Sequence, residues 1–399
     1  MNVETIASIV FVVLLTILVF AKRKKLDTKF LIPYFLYFSM YRTRLGLKLM
    51  DSLAGRFRKL VKFIGYLGIA VGFLGMILIA FSLFQNLFQL FAKPEAAQGV
   101  GLVLPIQGKG IFYVPFFYWI IAIFVIAVVH EFSHGLVARA HKLKVKSSGF
   151  AFLGLIVPII PAAFVEPDEK ELRKRPHREQ LSVFAAGPLA NIITAFVFIL
   201  IMMFALSPLA SSLVEADGVK ITDYVKGNIT FPAEKAGIGK GEVIKEIDGR
   251  PIKSLANLSD AFKAKKPGDL VTIKTNSSTY QLKLAGNPEN SSAAFMGTTL
   301  EERAKIRDNI KAKYGEFIPN AVIWVHGLFV ILIVLNFGIG LFNLAPIGPL
   351  DGGRMLQLPL QRYFGRENGN KILAYVSLVF FLIIIVILAA PFGLLNFLK

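Results

Sequence analysis

The sequence contains no cysteine. That excludes disulfides, cysteine-ligated zinc, iron–sulfur clusters and a thiol nucleophile, and it says nothing about compartment. Charge is scarce as well. Only 18% of the 399 residues are Asp, Glu, Lys or Arg, and the acidic residues number 26 against 45 basic ones. Hydrophobic residues make up 55%, and the mean hydropathy is +0.60. This balance excludes an ordinary soluble enzyme, a disordered chain and a fibrous repeat, and leaves a polytopic membrane protein. The formal charge of +19 does not point to a nucleic-acid partner. The basic runs flank apolar spans, where Lys and Arg set orientation.

What is present is a series of apolar runs. A helix needs about 20 apolar residues to cross a bilayer. Six runs qualify or nearly so, at about 6–21, 63–91, 114–139, 181–206, 318–344 and 372–397. The first is short. Glu4 precedes it and Lys22, Arg23, Lys24 and Lys25 follow it, the pattern of an anchor with its N-terminus outside rather than of a cleaved leader. Residues 22–62 carry 12 Lys/Arg, residues 139–180 carry nine and residues 354–371 carry four, whereas 92–113 holds only Lys93 and Lys109. The basic loops all fall on one side. Positive-inside then makes those loops cytoplasmic and both termini external, in a plasma-membrane protein. Residues 26–50 are open between an interfacial amphipathic helix, a further span and a lid.

One segment breaks the pattern. Residues 213–313 hold 13 of the 26 acidic residues. Short alternating runs such as Val271-Thr272-Ile273 and Tyr280-Gln281-Leu282-Lys283-Leu284 read as strands. Gly286-Asn287-Pro288 reads as a break. A soluble domain is inserted between spans four and five, on the external side.

The third span ends in His130-Glu131-Phe132-Ser133-His134. Residues four apart on a helix point only about 40° from each other, so both imidazoles share a face, which suits zinc. Glu131 is placed to address a metal-bound water. The competing reading is a Glu–His pair hydrogen-bonded inside a helix bundle, although ionisable groups in an apolar span are functional by default. Zinc in a catalytic site needs a third protein ligand and an open position. His141 and His177 lie in basic loop and read as solvated, and His326 lies near the other end of span five. Asp351, in Asn343-Leu344-Ala345-Pro346-Ile347-Gly348-Pro349-Leu350-Asp351-Gly352-Gly353, is the better candidate. Irregular backbone at membrane depth is tolerated only beside protein or a water-filled cavity, and a lone Asp there needs a partner. The alternative for Asp351 is a turn residue before Gly-Gly.

The two stretches H-E-F-S-H-G and N-L-A-P-I-G-P-L-D-G-G resemble the signature motifs of the site-2 proteases, intramembrane zinc metalloproteases. Phe184-Ala185-Ala186-Gly187-Pro188-Leu189-Ala190-Asn191 is similar to a weaker family motif, and Ala163-Phe164-Val165-Glu166-Pro167-Asp168 to the segment after the metal helix. The resemblance covers about residues 60–399. It implies one zinc per chain held by His130, His134 and Asp351, with Glu131 as general base. It implies substrate or transition-state contacts from Asn343, shaping of the site by Pro346 and Pro349, and Asn191 lining the site from span four. Asn191 reads equally well as an interhelical hydrogen bond beside a close-packed Gly187. The implied substrates are membrane-anchored proteins, cut within their transmembrane segments.

Residues 231–252, with P-A-x-x-A-G, G-E-V-I and I-D-G-x-P-I, resemble a protease-associated PDZ domain. Leu255–Lys263 would be its second helix, Pro267-Gly268-Asp269 the turn before its last strands, and 221–229 the region of its carboxylate loop. Such a domain binds a peptide or C-terminus by strand addition, or acts as a size filter. Val100–Pro105 and Gly149–Pro158 read as strands at the membrane, offering an edge to substrate or a plug over the site. Gly65, Gly68, Gly72 and Gly75 form one stripe of span two and read as close helix packing.

The fold expected is therefore a polytopic α-helical membrane protein of about six spans with an inserted α+β PDZ-like domain. It divides into an anchor and basic segment (1–60), a membrane core with HExxH (61–207), the PDZ-like domain (208–314), and a core with the Asp351 motif and last span (315–399). The competing class is a non-enzymatic scaffold or metal transporter. A transporter scatters ionisable residues over several spans at mid-depth, and here they cluster at one end.

Overall fold

The computed structural model describes residues 3–32, 36–92, 101–108, 110–155, 157–225, 230–288 and 290–392. The chain forms two compact units, 1–201 with 327–399, and 202–326.

In chain order, the first unit begins with helix α1 (Val3–Ala21), strands β1 (Leu26–Ile32) and β2 (Leu36–Thr43), and helices α2 (Leu47–Arg56) and α3 (Arg58–Ala92). Short strands β3 (Leu102–Leu104) and β4 (Ile111–Tyr113) pair in parallel. Helix α4 (Phe116–Ala140) is followed by the long strands β5 (Val145–Leu155) and β6 (Val157–Pro167), the short helix α5 (Glu169–Leu172) and helix α6 (His177–Ile201). Strand formation around Val100–Pro105 and Gly149–Pro158 is observed, with Val100 and Ile156 outside the described residues.

The second unit contains α7 (Ser207–Leu213), β7 (Val214–Tyr224), α8 (Pro232–Lys235), β8 (Val243–Ile247), β9 (Arg250–Pro251), α9 (Leu255–Lys263), β10 (Leu270–Thr275), β11 (Thr279–Lys283), β12 (Ala285–Gly286), β13 (Ala294–Phe295), β14 (Thr298–Ile306) and α10 (Asp308–Tyr314). Helices α11 (Phe317–Phe342), α12 (Asp351–Phe364) and α13 (Arg366–Ala389) complete the chain.

Five helical stretches are long and apolar enough to cross a membrane: Arg58–Ala92, Phe116–Ala140, His177–Leu213, Phe317–Phe342 and Arg366–Phe392. The remaining apolar run forms α1, which is apolar but shorter.

In the first unit α6 lies against α3, α4 and α12. The glycine stripe of α3 explains how helices come so close. A Cβ on Gly65 would stand 3.1 Å from Val137, and one on Gly68 3.2 Å from Leu189. One on Gly72 would stand 2.6 Å from Met355, and one on Gly75 2.5 Å from Leu344. Small residues let helix backbones approach where lipid supplies no hydrophobic drive to associate. Ala122 and Ile126 of α4 pack on Leu328, Leu332 and Leu335 of α11.

Of residues 26–50, 47–50 open α2, and the described stretches 26–32 and 36–43 are strands rather than a helix or a span. They add two strands to an antiparallel sheet of order β1-β2-β5-β6. Their partner is far away in sequence, with Leu36 opposite Leu155 and Thr43 opposite Ser148. Alternating polar and apolar residues (Leu36-Tyr37-Phe38-Ser39-Met40-Tyr41) suit a pleated surface, and tertiary pairing decides the outcome. Arg42 pairs with Asp27 at 3.2 Å and with Glu166, tying β2 to both flanking regions of the sheet. Strand β6 is an edge of this sheet and lies against α4.

The second unit is a six-stranded sheet running β11-β10-β8-β7-β14, with β9 on β8. Val219, Ile221, Ile238, Ile244, Ile247, Ile273 and Leu282 fill its core with Leu258 and Ala261 of α9. Asp248 (φ 48°) and Gly249 (φ 75°) both adopt left-handed conformations, as a two-residue hairpin turn between β8 and β9 requires. Helix α9 spans the expected range and is capped by Ser254, whose Oγ accepts from Asn257 N–H at 3.2 Å. Glu242 is held by Thr275 Oγ1 (2.5 Å), Tyr280 OH (2.8 Å) and Gly239 N–H (2.9 Å). Burial opposes its ionisation, but those three donors outweigh burial and lower its pKa. A sheet with two flanking helices and this motif order is the architecture of a PDZ-like domain. Of the stretch 221–229, residues 226–229 lie outside the described residues.

Candidate metal centre

His130 and His134 lie one turn apart on α4, about 21 Å and about 27 Å from its N-terminal end at about 1.5 Å per residue. Their ring centroids are 4.7 Å apart and their Nε2 atoms 3.1 Å apart. Asp351 reaches the same point from the first residue of α12. Its Oδ2 lies 3.0 Å from His130 Nε2 and 3.3 Å from His134 Nε2. Side-chain exposures are 11% and 12% for the histidines and 13% for Asp351.

The donor set tests well against zinc. Tetrahedral zinc with bonds of about 2.0–2.2 Å to N and O has ligand–ligand edges of about 3.3–3.6 Å. The three observed edges are 3.1, 3.0 and 3.3 Å. Among the described residues, this is the one cluster of three or more His, Asp or Glu side chains able to share an ion. The approach from α6 is open because residue 187 is glycine. A Cβ there would stand 2.4 Å from His134 Nε2 and 2.6 Å from His130 Nε2.

The backbone before Asp351 explains its placement. Helix α11 ends at Phe342 and a compact loop crosses under the first turn of α12. Asn343 O accepts Gly352 N–H at 2.8 Å and closes that loop. A Cβ on Gly352 would lie 2.1 Å from Leu344 O, and one on Gly353 2.1 Å from Ile347 O. The Gly-Gly pair is therefore needed for close approach whatever Asp351 does. Pro346 is buried in the loop, Pro349 is exposed, and Asn343 is half-buried.

Glu131 Oε2 accepts Val165 N–H of β6 at 3.0 Å. Asn191, fully buried on α6, lies with Nδ2 3.2 Å from His130 Nδ1. His134 Nδ1 lies 2.7 Å from Val183 O, also on α6. Both histidines are thus held from behind by one helix. The part of Val183 was invisible in the sequence, because a backbone carbonyl has no residue signature.

The remaining histidines fall elsewhere. His177 is exposed at the start of α6. His326 Nε2 lies 3.2 Å from Ser207 Oγ. His141 corrects the expectation of a solvated side chain: it is 2% exposed. Ser182 Oγ donates to Glu179 O at 2.8 Å, so His141 Nε2–H donates to Ser182 Oγ at 2.9 Å. Burial pushes the His141 pKa down to about 4, helped by the positive charges of Lys62, Arg175 and Arg58 against the pull of Glu179. Burial follows from position: His141 directly ends α4, and α6 covers that end.

The model of Peptidase family M50 matches residues 118–387. The chain belongs to that family, the site-2 proteases. The match takes in α4 from its third residue, β5, β6, α6 and α12, hence every residue of the cluster. Among curated relatives, an uncharacterized protein of Methanocaldococcus jannaschii is 28% identical over 88% of this chain and 85% of its own length. The regulator of sigma-W protease RasP of Bacillus subtilis is 24% identical over 54% of this chain and 58% of its own. Zinc metalloprotease RasP of Shouchella clausii is 25% identical over 51% and 56%. The chain thus spans less than two thirds of either RasP protein. Among solved structures, the PDZ domain of an SdrC-like protein of Listeria monocytogenes is 32% identical, covering 21% of this chain and 87% of that one, with a TM-score of 0.18. Its Listeria innocua counterpart is 28% identical, covering 22% and 97%, with a TM-score of 0.19. A family metalloprotease in a helical membrane protein, with a PDZ-like insertion, is the reading that fold, motifs and relatives share.

Proposed function

We propose that this protein is a zinc-dependent intramembrane endopeptidase that hydrolyses peptide bonds within transmembrane segments of membrane-anchored proteins. The convergence of His130 Nε2, His134 Nε2 and Asp351 Oδ2 within 3.3 Å carries the reading. These three residues would hold one zinc. When bound, zinc supplies Lewis acidity for a scissile carbonyl and a nucleophile at neutral pH. Glu131 is the general base, taking a proton from the attacking water and passing it to the leaving amine. Asn343, at the loop before Asp351, holds the oxyanion or substrate backbone, and Pro346 and Pro349 shape that loop. Asn191 approaches from α6.

A substrate helix keeps its carbonyls in its own hydrogen-bond ladder and must unwind before it is cut. The edge of β6 beside α4 can receive the unwound strand. Its Val165 N–H is bonded to Glu131, so strand addition there would also release the base. By loop charge, the centre lies near the cytoplasmic face of the plasma membrane, α1 is a sixth span, and the PDZ-like domain is outside, where it binds a peptide or C-terminus or excludes bulky ectodomains.

The test is zinc content together with cleavage of a tagged single-span substrate by purified protein in detergent. The parent and Glu131→Gln should each carry about one zinc, consistent with three protein ligands and an open fourth position, and only the parent should cleave. Full cleavage by Glu131→Gln would remove it as the base. Asp351→Ala binding zinc as tightly as the parent would remove Asp351 as a ligand.

A further inference from the structure

We infer that Asn191 is a positioning residue that fixes which nitrogen of His130 faces the metal, an inference that rests on the zinc reading above. The two histidines are held from behind in parallel. His134 Nδ1 faces the Val183 carbonyl at 2.7 Å, an oxygen that can only accept. His134 must therefore carry its proton on Nδ1, which leaves Nε2 a lone pair for the metal. His130 has no backbone carbonyl in that place. Its Nδ1 faces the amide of Asn191, 61 positions along the chain, at 3.2 Å.

The amide has two orientations of the same shape. With Nδ2 toward His130, the imidazole must accept at Nδ1 and carry its proton on Nε2, where it would block the metal. Asn191 Oδ1 is then buried without a partner, in a side chain 0% exposed. Turned by 180°, Oδ1 accepts from His130 Nδ1–H. One rotation lets the orphaned oxygen accept from His130, moves Nδ2 to the place that oxygen held, and presents the Nε2 lone pair to the point where His134 Nε2 and Asp351 Oδ2 converge. Metal-bound histidines commonly donate their other ring N–H to an oxygen in this way. Asn191 is held in place for this. Gly340 of α11 has no Cβ, and one there would stand 3.0 Å from Asn191 Cβ and 3.2 Å from Pro188 O. Asn191 therefore acts through His130 and not on the substrate.

The experiment is a zinc titration of the full-length protein in detergent against a chromophoric chelator at constant pH, with the melting temperature of each zinc-free variant recorded. Asn191→Ala removes the acceptor. It should weaken zinc binding about 10–100-fold, the usual cost of losing such a partner, and leave zinc-free melting close to that of the parent. Asn191→Asp keeps an oxygen acceptor in the same volume and should retain near-parental affinity. It also carries the test should the alanine variant not fold. Parental zinc affinity in Asn191→Ala, or a loss in Asn191→Asp equal to that in alanine, overturns the inference while leaving the zinc centre intact. A parent that binds no zinc overturns the zinc reading and this inference with it.

Discussion

Particular glycines in the two units of this protein show two different uses of the residue. In the membrane bundle, glycine sits where another element arrives: Gly72 faces Met355, Gly75 faces Leu344, and Gly187 faces the two imidazoles. In the inserted domain, Gly249 has φ 75° and nothing within 4 Å of where a Cβ would be. The first kind is about space and the second about backbone conformation. Helices in lipid gain little from burying apolar surface and depend on close packing. A small domain in water instead gains from folding tight hairpins over an apolar core.

Substitution by alanine should separate the two kinds. The largest effect belongs to Gly187→Ala, whose methyl group would stand in the space between His130 and His134. Zinc binding should fall below detection in a chelator titration while the insertion melts normally; parental zinc content would contradict the geometry of the centre. Next comes Gly75→Ala, which would drive a methyl group into Leu344 at 2.5 Å. Overpacking of this kind costs about 1–3 kcal/mol. It should appear as a lower thermal midpoint of the bundle, with Leu344 carrying strain toward the Asp351 loop. Gly249→Ala should cost about 1–2 kcal/mol through its left-handed backbone alone. Faster amide exchange in β8 and β9, with unchanged zinc affinity, would mark it as a conformational effect confined to the insertion.

The smallest effect is a pH dependence of the insertion. Glu242 has a folded pKa below its ordinary value of 4.5, because the donors from Thr275, Gly239 and Tyr280 outweigh burial. Asp217 is likewise lowered, chiefly by its hydrogen bond from Lys245. A carboxylate with a depressed folded pKa contributes stability that is complete above its unfolded pKa and is lost as pH falls through the folded one. Amide protection factors across β8 and β10, corrected for the intrinsic exchange rate, should therefore fall as pH drops below about 4.5, the ordinary Glu range. Glu242→Gln should flatten that part of the response; an unchanged acid profile would show that Glu242 does not contribute.

Much of the architecture was legible from local pattern. The five longest apolar runs form helices, so α3, α4, α6, α11 and α13 follow from run length. The four-residue spacing of His130 and His134 fixes a shared face by helix geometry alone. The hairpin at Asp248-Gly249 and the cap at Ser254 are equally local. The first sixty residues were the least legible. Residues 26–43 carry a strand pattern too weak to choose by itself, and their partner β5 begins at Val145. His141 was misread because a basic neighbourhood in sequence says nothing of the helix that covers its end.

By itself, the sequence determined the membrane class, the helical runs, the site-2 protease motifs and the residue types able to hold a metal. These depend on composition and on periods of a few residues. Only the tertiary structure decided that Asp351 comes within 3.3 Å of two histidines more than 200 positions earlier. The same holds for α6, which lends Val183 and Asn191 to the backs of those rings, and for the missing Cβ of Gly187 that keeps the approach open. Such distances are set by which helices pack together and how closely, and packing is a property of the whole chain rather than of any window along it.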